Sequence, residues 1–287
     1  MRWMKYRWVY FGLSGLLIAV GVFSMVTTGF KIGVDFTGGA VITYQIKDQS
    51  KKEQIKTTLG EAKEKPRSIQ ETNNGLLVAK FAELTTEQRN DINTLLKEKH
   101  DGAFEEVKFE TVGPSMGKEL IIKTVIALVI SSSLILLWVA IQFKSIKFGV
   151  SAVLAMLHDT LILMGGASLL SHWGMEVDYL FVTAMLTILS FSVHDTIVVY
   201  DRIREMGRTG DIESVANTAI SGTMRRSINN SLTIIVMLVA LVALGGESTK
   251  WFATALLVGT ISGTYSSPFV AVPILVTWEK FLARRKK

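Results

Sequence analysis

SVHDTIVVYDRIRE, residues Ser192 to Glu205, begins inside an apolar run and ends as a charged one. The run it closes starts near Tyr179, and about 20 apolar helical residues are what a bilayer core of roughly 30 Å requires. Yet the stretch sets a histidine and an aspartate side by side, and an ionisable group at mid-membrane costs on the order of 3 kcal/mol. Such a residue faces protein or water rather than lipid, so His194 and Asp195 mark both a membrane span and a candidate site.

The rest of the chain agrees with a membrane setting. Its 287 residues are 49% hydrophobic with four prolines, and the mean hydropathy is positive at +0.36. A soluble globular domain does not have this profile. Six candidate spans run approximately from Trp8 to Val26, Ile121 to Phe143, Phe148 to Leu170, Tyr179 to Tyr200, Ser227 to Leu244 and Trp251 to Val276. The apolar run of the first exceeds a signal-peptide core and no small-x-small cleavage site follows, so it reads as an uncleaved anchor. The net charge of +6 is explained by topology, because Lys and Arg flank the spans instead of gathering on one face as a nucleic-acid groove would need. Arg2, Lys5, Arg7, Lys144, Lys147, Arg202, Arg204, Arg208, Arg225 and the tail Arg284, Arg285, Lys286, Lys287 fall on one side, whereas the opposite short loops hold only Lys250. Both termini are therefore expected in the cytoplasm. Absence of cysteine removes disulfide, thiolate and cysteine–zinc chemistry.

This orientation divides the chain into residues 1–29, an N-terminus with the first span, residues 30–118, an extracytoplasmic domain, and residues 119–287, spans two to six with the C-terminal tail. The middle segment alternates as half-buried strands do at Ile42, Tyr44, Ile46 and at Leu77, Ala79, Phe81 after an Asn74-Gly75 turn, and Val107, Phe109, Thr111 suggest a last strand. Lys51 to Leu59 reads as a helix, and Thr85 with Gln88 forms a capping box opening another to about Lys99. The order strand, helix, strand, strand, helix, strand fits a ferredoxin-like α+β domain.

Three positions inside the spans carry ionisable groups: His158-Asp159, His194-Asp195 and Arg226. At 1.5 Å rise per residue, Asp195 lies about 24 Å beyond Tyr179 and Arg226 about 27 Å below Leu244, so the two share a plane in the inner third, with Asp159 about 17 Å below Leu170 and nearer the middle. Arg226, Asn230 and Thr233 fall on one helical face, and Ser192, Asp195 and Thr196 on another. Two polar stripes are expected to meet, and an aspartate whose arginine partner comes and goes can load and unload a proton. The competing reading is a static ion pair or a snorkelling arginine. His158 and His194 read as packing residues or members of the same network. No phosphate-binding loop or zinc arrangement occurs, so no ATP-driven step, metal or other cofactor is expected and the membrane potential is the expected energy source.

Several separated motifs appear in order: VDFTGG at Val34 to Gly39, VGPSMGKEL at Val112 to Leu120, AMLHDTLILMG at Ala155 to Gly165, the opening SVHDTIVVYDRIRE, and RRSINNSLT at Arg225 to Thr233. Together they resemble, across nearly the whole chain, the SecF family of the bacterial SecD/SecF protein-export complex, a branch of the resistance-nodulation-division superfamily. The resemblance implies an ion-gradient-driven, non-enzymatic export subunit of the cytoplasmic membrane. Its implied partners are SecD, the SecY/SecE/SecG channel, YajC and YidC, the translocating preprotein and membrane lipid. It places the ion-coupling aspartate on Asp195, its arginine on Arg226 and a further motif acid on Asp159, and gives Asp35, Gly38 and Gly39 a structural role; His158, His194, Asn230 and Thr233 are network candidates by their position in the spans, not by the resemblance. Two rivals share parts of the pattern. A lipid or small-molecule exporter of the same superfamily is disfavoured by the small external domain, and an intramembrane aspartyl protease by the missing Gly-x-Gly-Asp context. A purely structural channel scaffold would leave the Asp195 charge dispensable.

Overall fold

The structure is a computed structural model that describes residues 1–72, 75–207 and 211–285. Asn74 of the expected turn, Arg208, Lys286 and Lys287 lie outside them. Among the described residues, six helices are long and apolar enough to cross a membrane. The first is α1 (Arg7–Thr27). Beyond a sheet-bearing segment follow α5 (Pro114–Gln142), α6 (Ile146–Leu170), α7 (Tyr179–Glu205) and α8 (Ile212–Leu244). The sixth joins α9 (Glu247–Ser266) through a π-helical turn, Ser267–Ala271, to α10 (Val272–Arg285).

Several run past the expected ends, α5 beginning at Pro114 and α7 reaching Glu205, and two differ more deeply. Helix α8 starts at Ile212, well before the anticipated Ser227, because Val215, Ala216, Ala219 and Ile220 continue a buried face through a stretch too polar to register as membrane sequence. Near that start Glu213 pairs with both Arg7 and Lys280, tying α8 to α1 and α10. In the sixth span, Pro268 cannot donate an amide hydrogen, and the helix widens there into the π turn instead of breaking.

Residues 34–112 form the small α+β unit. A one-turn helix α2 (Val34–Thr37) leads into β1 (Gly39–Ile46), α3 (Lys52–Glu61), β2 (Ser68–Glu71), β3 (Leu76–Phe81), α4 (Thr86–His100) and β4 (Phe104–Val112). The four strands form an antiparallel sheet in the order β2-β3-β1-β4. Ile42, Tyr44 and Ile46 of β1, with Leu77, Ala79 and Phe81 of β3, are buried against Ile55 and Leu59 of α3 and Ile92 and Leu96 of α4. The capping box is present, with Gln88 N donating to Thr85 Oγ1 and Thr85 N to Gln88 Oε1. In β4 only Phe109 of the expected trio turns toward the core. The register slips between Thr43 and Tyr44, so Val107 has no partner across the ladder and is exposed. Burial, then the nearby Glu106 carboxylate, pushes the Tyr44 phenol well above its ordinary range.

Candidate functional site

Helix α7 turns Ser192, Asp195 and Thr196 inward, all three buried. Two glycines let α9 approach this face: a Cβ at Gly259 would sit 2.1 Å from Ile188 Cδ1, and one at Gly263 3.1 Å from Ser192 Cβ. The contact brings the serines of α9 against Asp159 of α6. Its carboxylate is 0% exposed. Ser192 Oγ and Ser266 Oγ each donate to Asp159 Oδ2 at 2.6 Å, Ser262 Oγ donates to Oδ1 at 2.6 Å, and His158 Nδ1 lies 3.1 Å from Oδ1. Both carboxylate oxygens are provided with hydroxyl donors. The hydroxyls thus replace water around a charge that would otherwise be costly to bury.

Asp195, one helical turn from Ser192, is 5% exposed and accepts a 2.6 Å hydrogen bond from Ser227 Oγ of α8. Next to Asp195 along α7, Thr196 Oγ1 lies 2.9 Å from Ser267 Oγ of the π turn, and Ser267 Oγ donates to the Ser192 carbonyl at 3.2 Å. Two carboxylates at neighbouring levels are therefore each solvated by buried hydroxyls, Asp159 by three serines and Asp195 by one. Among the described residues neither pairs with a lysine or arginine, and no group of three or more His, Cys, Asp or Glu clusters to hold a metal.

The predicted stripes meet differently from expectation. Ser227 and Ser231 face into the bundle, Ser231 accepting from Thr264 Oγ1 at 2.6 Å, whereas Arg226, Asn230 and Thr233 are exposed. Adjacent helical positions lie about 100° apart, and a hydroxyl fits between close-packed helices where a guanidinium does not. His194, on α7 beside Asp195, is exposed as well. His158 is buried with Nε2 unpartnered among the described residues. The sequence reading missed Ser227, Ser262, Ser266 and Ser267; the signals for them were the place of Ser227 within RRSINNSLT and the recurrence of serine three or four residues after Gly259 and Gly263.

At the sheet end, Gly38 (φ 72°) and Gly39 (φ 147°) turn the chain from α2 into β1, and a Cβ at Gly39 would meet the Phe81 carbonyl oxygen at 2.5 Å. Asp35 Oδ2 accepts the Tyr179 N–H at 3.1 Å. Asp178, the N-cap of α7, accepts from Phe181 N at 2.8 Å. Burial first, then the Asp35 and Glu176 charges, hold the Asp178 carboxyl above its ordinary value, against the Phe181 hydrogen bond and Lys80.

Residues 91–281 match the family model described as protein export membrane protein SecD/SecF, C-terminal, and residues 23–49 match the SecD/SecF GG motif. The chain is 36% identical over 296 residues to "Protein translocase subunit SecF" of Thermobaculum terrenum, covering 96% of this chain and 93% of that one. It is 36% identical over 300 residues to the protein of the same description from Synechocystis sp., covering 98% and 94%. Among solved structures it superimposes on the crystal structure of SecDF, a translocon-associated membrane protein from Thermus thermophilus, with a TM-score of 0.85 and 32% identity over 98% of this chain. SecDF in a super-membrane-facing form gives 0.74 at 32% identity over 100% of this chain. The chain spans 39% and 40% of those two longer chains.

Proposed function

The chain belongs to the SecD/SecF protein-export family, and from that premise we propose that it is a SecF subunit which, with SecD, uses the proton-motive force to promote late export and release of preproteins. It works at the bacterial cytoplasmic membrane with both termini in the cytoplasm, beside the SecY/SecE/SecG channel, YajC and YidC. The single observation that carries this reading is the pair of buried carboxylates, Asp195 and Asp159, in the membrane-spanning bundle, with no lysine or arginine among the described residues bonded to either. Buried acids of this kind mark ion paths. Asp195 takes up and releases the coupling proton, the Arg226 charge biases its affinity, and Asp159 with His158 extends the network. A proton crossing supplies about 2.3 kcal/mol per 100 mV, enough to bias a rearrangement of a few kcal/mol.

The exposed polar residues support a second six-helix half. His194, Arg226, Asn230 and Thr233 sit within the spans but uncovered by this chain. Lipid is a poor neighbour for them, so a SecD-like half covers that face. The strand order β4-β1-β3-β2 with two helices on one face supports a ferredoxin-like extracytoplasmic domain. The subunit converts ion flow into movement of this domain and carries out no covalent chemistry.

The test is a pulse-chase of a signal-bearing reporter in cells carrying Asp195→Asn, with membrane levels of the variant and its partner verified, with and without an uncoupler. Late export slowed to the uncoupled rate is expected. Export that stays potential-sensitive and unimpaired refutes the proposal.

A further inference from the structure

The loop between α6 and α7 is built into the base of the sheet domain by three separate devices. Residues 31–33 and Val177 form a parallel bridge, Gly33 N donating to the Val177 carbonyl at 2.9 Å and Val177 N to the Lys31 carbonyl at 2.8 Å. Glu176 clamps two strands: Oε1 accepts from Gln70 Nε2 of β2 at 3.0 Å, and Oε2 pairs with Lys80 Nζ of β3 at 2.6 Å. The Lys80 and Glu176 side chains are only 18% and 13% exposed, so water screens this ion pair less than a surface one. Third, Asp35 reaches from α2 to the first amide of α7, where a carboxylate also opposes the positive end of the helix dipole.

Helix α7 then runs from Tyr179 to Glu205 with no glycine or proline, and so lacks the usual causes of a kink. Asp195 is sixteen residues, or about 24 Å, along this rod. We propose that Asp35 and Glu176 are positioning residues of a permanent joint that makes the sheet domain and the Asp195 helix move as one body. The proposal rests on the ion-coupling reading of Asp195 given above. When the bond between Asp195 and Ser227 changes, α7 shifts against α8 and carries the sheet domain with it through this joint. Asp35 acts here as an oxygen acceptor for the Tyr179 N–H, not as an ion-binding charge.

The test uses the assembled complex in inverted membrane vesicles and reads two quantities in the same preparation: export of a reporter and proton flux followed by a pH-sensitive dye. With Asp35→Ala and Glu176→Ala combined, export should fall at least about fivefold while flux stays within about twofold of the parent. Asp35→Asn, which keeps the acceptor oxygen, should retain export. Asp195→Asn should lose flux and export together; if it retains both, the ion-coupling reading fails independently of the joint. Loss of both quantities in the Asp35/Glu176 variant, or of neither, overturns the joint.

The cysteine-free chain permits a second arm, in which Ile32→Cys and Val177→Cys replace the bridged pair. In the Asp35→Ala/Glu176→Ala background, oxidation should restore export and reduction should remove it again. In the otherwise unaltered chain the crosslink should leave export intact. A crosslink that stops export there means that the joint must open in each cycle, and overturns its permanence.

Discussion

Ser262→Ala isolates the carboxylate character of Asp159. Ser262 Oγ donates to Asp159 Oδ1 at 2.6 Å, and after its removal Oδ1 retains, among the described residues, the His158 contact at 3.1 Å. The change deletes one atom, so a cavity contributes little, and the cost is dominated by the lost hydrogen bond. A hydrogen bond to a charged group is worth about 1.5–3 kcal/mol and one between neutral groups about 1. Ser171→Ala is the matched control, since the buried Ser171 Oγ donates to the neutral Ser168 carbonyl at 2.7 Å. Ser262→Ala should therefore cost about 2 kcal/mol and Ser171→Ala about 1. In an Asp159→Asn background the Ser262→Ala cost should shrink toward the neutral value, a coupling of about 1 kcal/mol between the two sites. The assay is denaturant-driven unfolding in mixed micelles, followed by tryptophan fluorescence for the four members of the cycle and the control. If Ser262→Ala costs no more than Ser171→Ala, and the cost is unchanged in the Asp159→Asn background, the serines are not holding a charged carboxylate.

Two further outcomes follow from the same geometry. Gly259→Ala should destabilise by about 1–3 kcal/mol through overpacking, because the new Cβ meets Ile188 at 2.1 Å; Ile188→Ala should suppress it, and Gly166→Ala, whose Cβ would meet Val258 at an ordinary 3.5 Å, should be tolerated in the same unfolding assay. The Asp178 carboxyl is held above its ordinary value by burial and by Asp35 and Glu176, so the folded chain binds its proton more tightly than the unfolded chain. Its contribution is fully present below the unfolded value near 3.9 and is lost as pH rises through the raised folded value. Asp178→Asn should flatten that slope in thermal unfolding measured across mildly acidic pH and stabilise the chain at neutral pH; an unchanged slope refutes the assignment.

The site was legible in the sequence to different depths. Asp159 and Asp195 stood out because a charge in an apolar run is anomalous whatever surrounds it. Serines in the same runs are not anomalous, because a serine can return its hydroxyl to its own helix, as Ser151 does to the Lys147 carbonyl. Nothing local distinguishes Ser151 from Ser266. The choice between Ser227 and Arg226 as the residue facing Asp195 depended on the rotation of α8 about its axis, which large and small neighbours on α7 and α9 set together. Likewise the inward set of β4 shifted at the bulge opposite Thr43 and Tyr44, a feature of strand pairing that β4 alone does not encode.

By itself the sequence determined the six apolar spans, the alternating strands of the small sheet, and the two acids. These follow from forces that act along the chain: the apolar length needed to cross a bilayer, backbone hydrogen bonds satisfied within each helix, and side-chain alternation on a half-buried strand. Only the tertiary structure decided what solvates the acids and what ties the sheet domain to α7. The donors to Asp159 come from Ser192, Ser262 and Ser266, 33, 103 and 107 residues away, and the acceptor for the first amide of α7 is Asp35, 144 residues earlier. A buried charge takes its partners from whichever helices pack against it, and that packing depends on close approaches such as Gly259 against Ile188, which exist only once both helices are in place.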